Sequence, residues 1–148
     1  MTSDGSAHYP GDDYVLPFGR ANVVRRGDDI TVVTWGAMVH RCAEAVERFG
    51  DAVELIDLRT IAPWDRACVL DSVRRTGRCL IVHEDTITAG FGAEIGAVVA
   101  KEAFWYLDAP VDRLAVEDVP MPYHPVLMNA VLPGAEEIAA RIGVLLAV

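Results

Sequence analysis

His83, Glu84 and Asp85 stand together in the stretch "VHEDTITAGFGAEI", with Gly90 and Gly92 just beyond them. An imidazole titrates near neutrality and an adjacent carboxylate can fix its tautomer, so His83 with Glu84 has the makings of an acid–base pair. Gly90 and Gly92 allow close backbone approach, and the helix starting after them offers free N–H donors, which makes a possible anion-binding turn. Several features weigh against chemistry here. Consecutive residues on a strand point to opposite faces, so His83 and Glu84 diverge. No serine or cysteine nucleophile can be placed with them. "GFG" lacks the third glycine of a dinucleotide fingerprint and the lysine of a phosphate loop, and a phosphate would meet Glu84 and Asp85. The plainer expectation is a strand-to-helix turn. In it Thr88 or a nearby backbone group caps the helix, the glycines permit tight packing, and His83 hydrogen-bonds at a strand end or a subunit contact.

Other polar residues carry less. Asp57 and Arg59 flank Leu58 in "IDLRT", which places them on one strand face and predicts an ion pair or a subunit contact. Asp65 is placed to cap a helix. His40 and His124 have no metal-ligand spacing with another histidine or a cysteine, and no residue is assigned a catalytic, cofactor-binding or metal-binding role. The segment "EDVPMPYHP" holds three prolines, so it reads as a stiff, extended loop suited either to a partner or to joining the last helix.

These residues sit at the ends of a regular alternation. "ITVVTWG", "VELIDLRTI", "RCLIVHE" and "VDRLAVED" are apolar, β-branched runs expected to be strands. Between and after them, apolar residues recur at helical spacing: Met38 to Phe49 with Gly50 as the stop, Asp65 to Thr76, Gly92 to Leu107, and Ala135 to Ala147. Arg20 to Gly27 is expected to add an edge strand, antiparallel, ahead of the first unit. Such alternation implies right-handed βαβ crossovers and a three-layer αβα sandwich, with a mostly parallel five-stranded sheet and one antiparallel edge strand. Ligands of such sheets bind at the carboxyl ends of the strands.

Bulk properties bound the rest. The 148 residues, 52% hydrophobic and 24% charged, suit one domain, expected over residues 14–148 behind a flexible leader or linker, Met1 to Asp13. A net charge of −9 argues against nucleic acid or an anionic membrane as partner. Three cysteines without C-x-x-C spacing predict buried, reduced thiols in a cytoplasmic protein, and no apolar run is long enough to span a bilayer. "YVLPFG" and the proline loop both look made to meet other chains, so a homodimer contact is expected.

The motifs "YVLPFGRANVVRRGDDITVVTWGAMVHRCAEA", "VELIDLRTIAPWD", "VRRTGRCLIVHEDTITAGFGAEI", "KEAFWYLDAPVDRL" and "EDVPMPY", in that order, resemble the C-terminal domain of the beta subunit of thiamine-diphosphate-dependent 2-oxoacid dehydrogenases. The resemblance covers about Tyr14 to Val148 and implies the transketolase C-terminal-domain fold. It leans slightly towards the branched-chain enzymes over the pyruvate enzymes. It implies oxidative decarboxylation of a 2-oxoacid only within a complex, with thiamine diphosphate and magnesium held elsewhere. The implied partners are the alpha subunit, a pyrimidine-binding beta domain and the small subunit-binding domain of the acyltransferase. On that resemblance Asp118, Tyr123 and the carboxylate of Val148 are candidates for docking, and His83, Glu84, Asp85 and Arg59 for subunit contact. A free-standing dimerisation module and a small-anion-binding domain stand as alternatives.

Overall fold

The computed structural model describes residues 11–148. Most of the expected leader therefore lies outside the described residues. Five strands, β1 (Asn22–Arg25), β2 (Ile30–Thr34), β3 (Val53–Asp57), β4 (Cys79–Thr86) and β5 (Asp112–Val116), form one sheet in the order β1-β3-β2-β4-β5. Only β1 runs antiparallel to its neighbour, β3, so the mixed sheet has the expected edge.

β2 is buried at every residue because helices cover both its faces. On one side Val32, Leu55 and Leu80 pack with α1 (Met38–Val46) and α5 (Ala135–Leu146) through Met38, Cys42, Ile138 and Ile142. On the other, Val33, Ile56 and Ile81 meet α2 (Arg66–Thr76) and α3 (Phe91–Glu102) through Val69, Val73, Ile95 and Val99. Thr31 also turns towards α2, where its hydroxyl is satisfied by Ser72 (2.6 Å) and Thr76 (2.7 Å). The connection after β2 leaves towards β3, and that after β4 leaves the opposite way, towards β5. The carboxyl ends of β2 and β4 thus flank the topological switch point, the place where open α/β sheets leave a crevice.

The chain departs from its sequence reading at two helix ends and in one added helix. α1 ends at Val46, and a 3-10 segment, Glu47–Ala52, turns through Gly50 at φ +54°. α3 ends at Glu102, and Phe104–Tyr106 form a separate 3-10 turn with all three aromatic rings exposed. The third difference is a further helix, α4 (Pro125–Val131), which begins at the last residue of the proline-bearing loop and continues through residues given no element by the sequence. Pro125 sits in the first turn, where its missing N–H costs nothing, and His124 Nδ1 accepts from the Val126 N–H at 3.3 Å. Arg41 of α1 donates to Asn129 Oδ1 (2.7 Å) and to the Pro133 carbonyl (3.0 Å), which ties this helix to the domain. Asp65 caps α2 as expected, accepting from the Cys68 N–H at 3.1 Å.

Candidate functional site

At the switch point the crevice is filled by the protein's own rings. Trp35, just past β2, stacks on His83 near the end of β4, with centroids 5.4 Å apart and planes within 6°. Phe91, opening α3, meets the same indole edge-on at 6.1 Å. His83 is fully buried, and neither ring nitrogen has a hydrogen-bond partner among the described residues. Burial, reinforced by the Arg113 guanidinium and opposed by Asp85, holds its pKa below the ordinary imidazole value, so the ring is neutral. Among the described residues, His83 is held by aromatic stacking.

The glycines explain the packing. A Cβ on Gly92 would lie 2.3 Å from His83 Nε2 and Cδ2, and one on Gly90 would lie 2.8 Å from Cε1. The turn gives its room to the imidazole. A diphosphate with a divalent cation needs an open N–H cradle and a carboxylate cluster. Among the described residues no group of three or more His, Cys, Asp or Glu is placed to hold a metal ion. Among the described residues, this turn does not fit that cofactor.

The polar candidates separate. Glu84 and Asp85 are exposed where His83 is buried, and Asp85 spends an oxygen on the Thr86 N–H (2.8 Å). Arg59 adopts φ +58°, with its N–H on Asp57 Oδ1 (3.0 Å) and its guanidinium 4.0 Å from the same carboxylate. No hydrogen bond or ion pair among the described residues joins Arg59 or Val148 to His83 or Asp118. Thr88 does not cap α3, whose cap is Gly90. Instead its N–H (3.1 Å) and hydroxyl (2.6 Å) both donate to Asp118, which holds that exposed carboxyl below the usual range. This clasp joins the loop after β4 to the loop after β5. Cys42 and Cys79 are packing groups, their thiols pushed up to about 12 by burial.

Beyond the clasp, Val119, Met121, Val126 and Leu127 are exposed and Tyr123 is fully so. A cleft of about 280 Å³ opens between this loop and the α4–α5 connection, lined by Val119, Val131, Leu132 and Pro133 with Glu117 and Glu137 at its rim. Two carboxylates among aliphatic side chains suit the cationic head and aliphatic stem of a lysine or arginine. The sequence reading missed these apolar side chains. Their signal was present, because an apolar residue between prolines has no helix or strand face to bury.

Residues 19–138 match the family of the transketolase C-terminal domain. The chain belongs to that family. A 2-oxoisovalerate dehydrogenase subunit beta of Bacillus subtilis is 40% identical over 135 residues, covering 88% of this chain and 41% of its own length. A mitochondrial 2-oxoisovalerate dehydrogenase subunit beta 2 of Arabidopsis thaliana is 50% identical over 117 residues, 76% of this chain and 32% of its own. A mitochondrial pyruvate dehydrogenase E1 component subunit beta of Dictyostelium discoideum is 40% identical over 129 residues, 85% and 36% respectively. The chain thus spans well under half the length of these curated relatives. Among solved structures, a split-gene transketolase described as an inactive beta4 tetramer superposes with a TM-score of 0.75 at 26% identity, covering 93% of this chain and 44% of that one. The transketolase C-terminal domain, related to 2-oxoacid dehydrogenase beta subunits, accounts for the five-stranded mixed sheet. No helix of the described residues is long and apolar enough to cross a membrane.

Proposed function

We propose that this chain serves as the C-terminal module of a 2-oxoacid dehydrogenase beta subunit, contributing to oxidative decarboxylation by assembly and docking. The observation that carries this is the corner after β5, where Glu117 and Glu137 line a small cleft with Val119, Leu132 and Pro133, and Asp118 and Tyr123 of the same loop stand exposed. A basic face on the acyltransferase's subunit-binding domain is the partner chemistry it suits, and the net charge of −9 favours the same encounter. The alpha subunit and a chain bearing the pyrimidine-binding domain supply thiamine diphosphate and magnesium, and the cytoplasm is the expected compartment. Branched-chain 2-oxoacids are favoured over pyruvate as substrates, in keeping with the name borne by the relative at 50% identity.

The test is reconstitution. Mixed with an alpha subunit and a pyrimidine-domain chain, this chain is expected to co-purify and to raise decarboxylation of branched-chain 2-oxoacids above that of pyruvate. Alone, it is expected to give no heat of thiamine diphosphate binding in calorimetric titration. Failure to associate with either chain, or micromolar cofactor affinity of the isolated domain, would overturn the reading.

A further inference from the structure

The turn from Glu84 to Gly92 joins β4 to α3 and is fastened at two ends. At one, the buried His83 ring lies against the backbone of Gly90 and Gly92, where even a Cβ would collide with it. At the other, Thr88 gives both its N–H and its hydroxyl to Asp118. Two more bonds tie the turn to β5: the Ile87 N–H donates to the Val116 carbonyl (2.7 Å), and Arg113 donates to the Ile87 carbonyl (2.7 Å). Ala89, between the two ends, holds φ at +61°, a left-handed conformation that costs a non-glycine residue about 1–3 kcal/mol. Such strain persists only while the surroundings enforce it, so releasing either end lets the turn relax.

His83 is the end that can be released. Its ring is fully buried and neither nitrogen has a partner among the described residues, so an added proton finds no acceptor inside the stack. The charged groups around it are Glu84 and Asp85 of its own strand, Arg113 of β5 and Glu94 in the first turn of α3. The loop after β2 brings only the uncharged Trp35 and Gly36. Arg113 and the N–H groups that open α3 both repel an imidazolium. Asp85 attracts one, but that carboxylate and Glu84 stand exposed. A charged ring gains water by swinging out and loses only its stack.

We propose that His83 is a proton-operated latch: on taking a proton from solvent its ring leaves Trp35, the turn relaxes at Ala89, and the Thr88–Asp118 clasp opens. The latch regulates the acidic corner that holds Asp118, and its link to docking rests on the function proposed above. Asp118 does not take over the role, because Thr88 holds its carboxyl below the usual range and it stays ionised at neutral and mildly acid pH. Proton and clasp are linked reciprocally, so whatever holds the clasp shut opposes protonation of His83.

Two-dimensional NMR of the full chain between pH 7.5 and 5 tests this without a partner. The His83 ring is expected to titrate with a midpoint below the ordinary value near 6.5, and the Thr88 amide to shift with the same midpoint. Thr88→Val keeps the shape and charge of the turn but removes one of its two bonds to Asp118, and is expected to raise the His83 midpoint by about half a pH unit. His124, in the same loop as Asp118, is the other histidine near the corner; His124→Asn retains a side-chain oxygen for the Val126 N–H and is expected to leave the Thr88 titration unchanged. A ring that stays neutral to pH 5, a Thr88 amide that follows another group, a midpoint unmoved in Thr88→Val, or loss of all tertiary signals together with protonation of His83 would each overturn the proposal. Docking is read separately, by surface plasmon resonance with a basic subunit-binding domain at pH 7.5 and 5.5. Dissociation is expected to quicken about threefold at the lower pH in the wild type and not in His83→Leu. Equal dissociation at both pH values would refute the regulation of docking, whereas no binding at either pH would refute the docking reading alone, since the NMR titration decides the latch.

Discussion

The imidazole of His83 lies parallel to the indole of Trp35 at 5.4 Å, bridging the carboxyl ends of β4 and β2. This stack closes the crevice that the strand order opens, and it does so with a titratable ring held neutral by burial. Its folded-state pKa lies below the unfolded value near 6.5, so the unfolded chain binds the proton more readily. The stability contributed by the neutral ring is complete above about pH 6.5 and is lost as pH falls from there through the folded pKa.

His83→Leu, close in volume and unable to titrate, is therefore expected to flatten the stability profile on the acid side. Urea denaturation between about pH 7.5 and 5 should show the wild type losing up to about 1.4 kcal/mol per pH unit more than the variant. Identical slopes would mean that the ring reaches water in the folded state.

Gly92→Ala tests the close approach directly. Alanine gains about 1 kcal/mol of helix propensity, but its Cβ would lie 2.3 Å from a fully buried imidazole stacked on Trp35. Overpacking at about 1–3 kcal/mol is expected to win, with a lower denaturation midpoint. Gly143→Ala is the control, because it lies within α5 with nothing within 4 Å of the added methyl, and it should stabilise by up to about 1 kcal/mol. Stabilisation by both would refute the packing account of the turn.

Glu54 is the charged residue most buried in the sheet, its side chain 1% exposed. Arg75 reaches it at 2.7 Å from the end of α2, and the more exposed Arg26 at 3.4 Å. Arg75→Ala leaves that carboxylate with only the distant, solvated partner and also removes a donor to the Gly27 carbonyl (2.7 Å). A loss of about 2–4 kcal/mol is expected, against less than about 1 kcal/mol for Arg26→Ala. Equal, small effects in thermal melts would show that water replaces the pair at no cost.

Most of this architecture was legible in the residues, and the exceptions have physical causes. β-branched runs bounded by glycine and acid mark β2, β3 and β4, because strands covered on both faces must be apolar throughout. β1 bears out the expected antiparallel edge, although four residues carry little mark of strand sense on their own. α4 went unseen because three prolines dominate the reading, although a capping residue followed by proline is itself a helix-start signal. At the sheet edge, alternation correctly separated His83 from Glu84. The contact of Trp35 with His83 was not legible because the two are nearly fifty residues apart, and stacking across two strands has no local pattern. The Thr88–Asp118 clasp is hidden for the same reason.

Asp118 carries the last prediction. Its two oxygens are engaged by Thr88, yet the carboxylate remains exposed at the mouth of the acidic corner. A charge so placed acts chiefly on encounter, since solvent screens it once the complex forms. Asp118→Arg is expected to slow association of a basic subunit-binding domain about 3–10-fold at low salt, with little change in dissociation. The difference should shrink by about 150 mM salt, where screening reaches about 8 Å. Surface plasmon resonance at two ionic strengths reads both quantities. Glu137→Gln, at the cleft rim away from the clasp, is the companion variant, and it should slow association without loosening either loop. If Asp118→Arg instead accelerated dissociation and lowered the melting temperature, the residue would serve to hold the loops together. If neither variant altered binding, the docking surface would lie elsewhere on the domain.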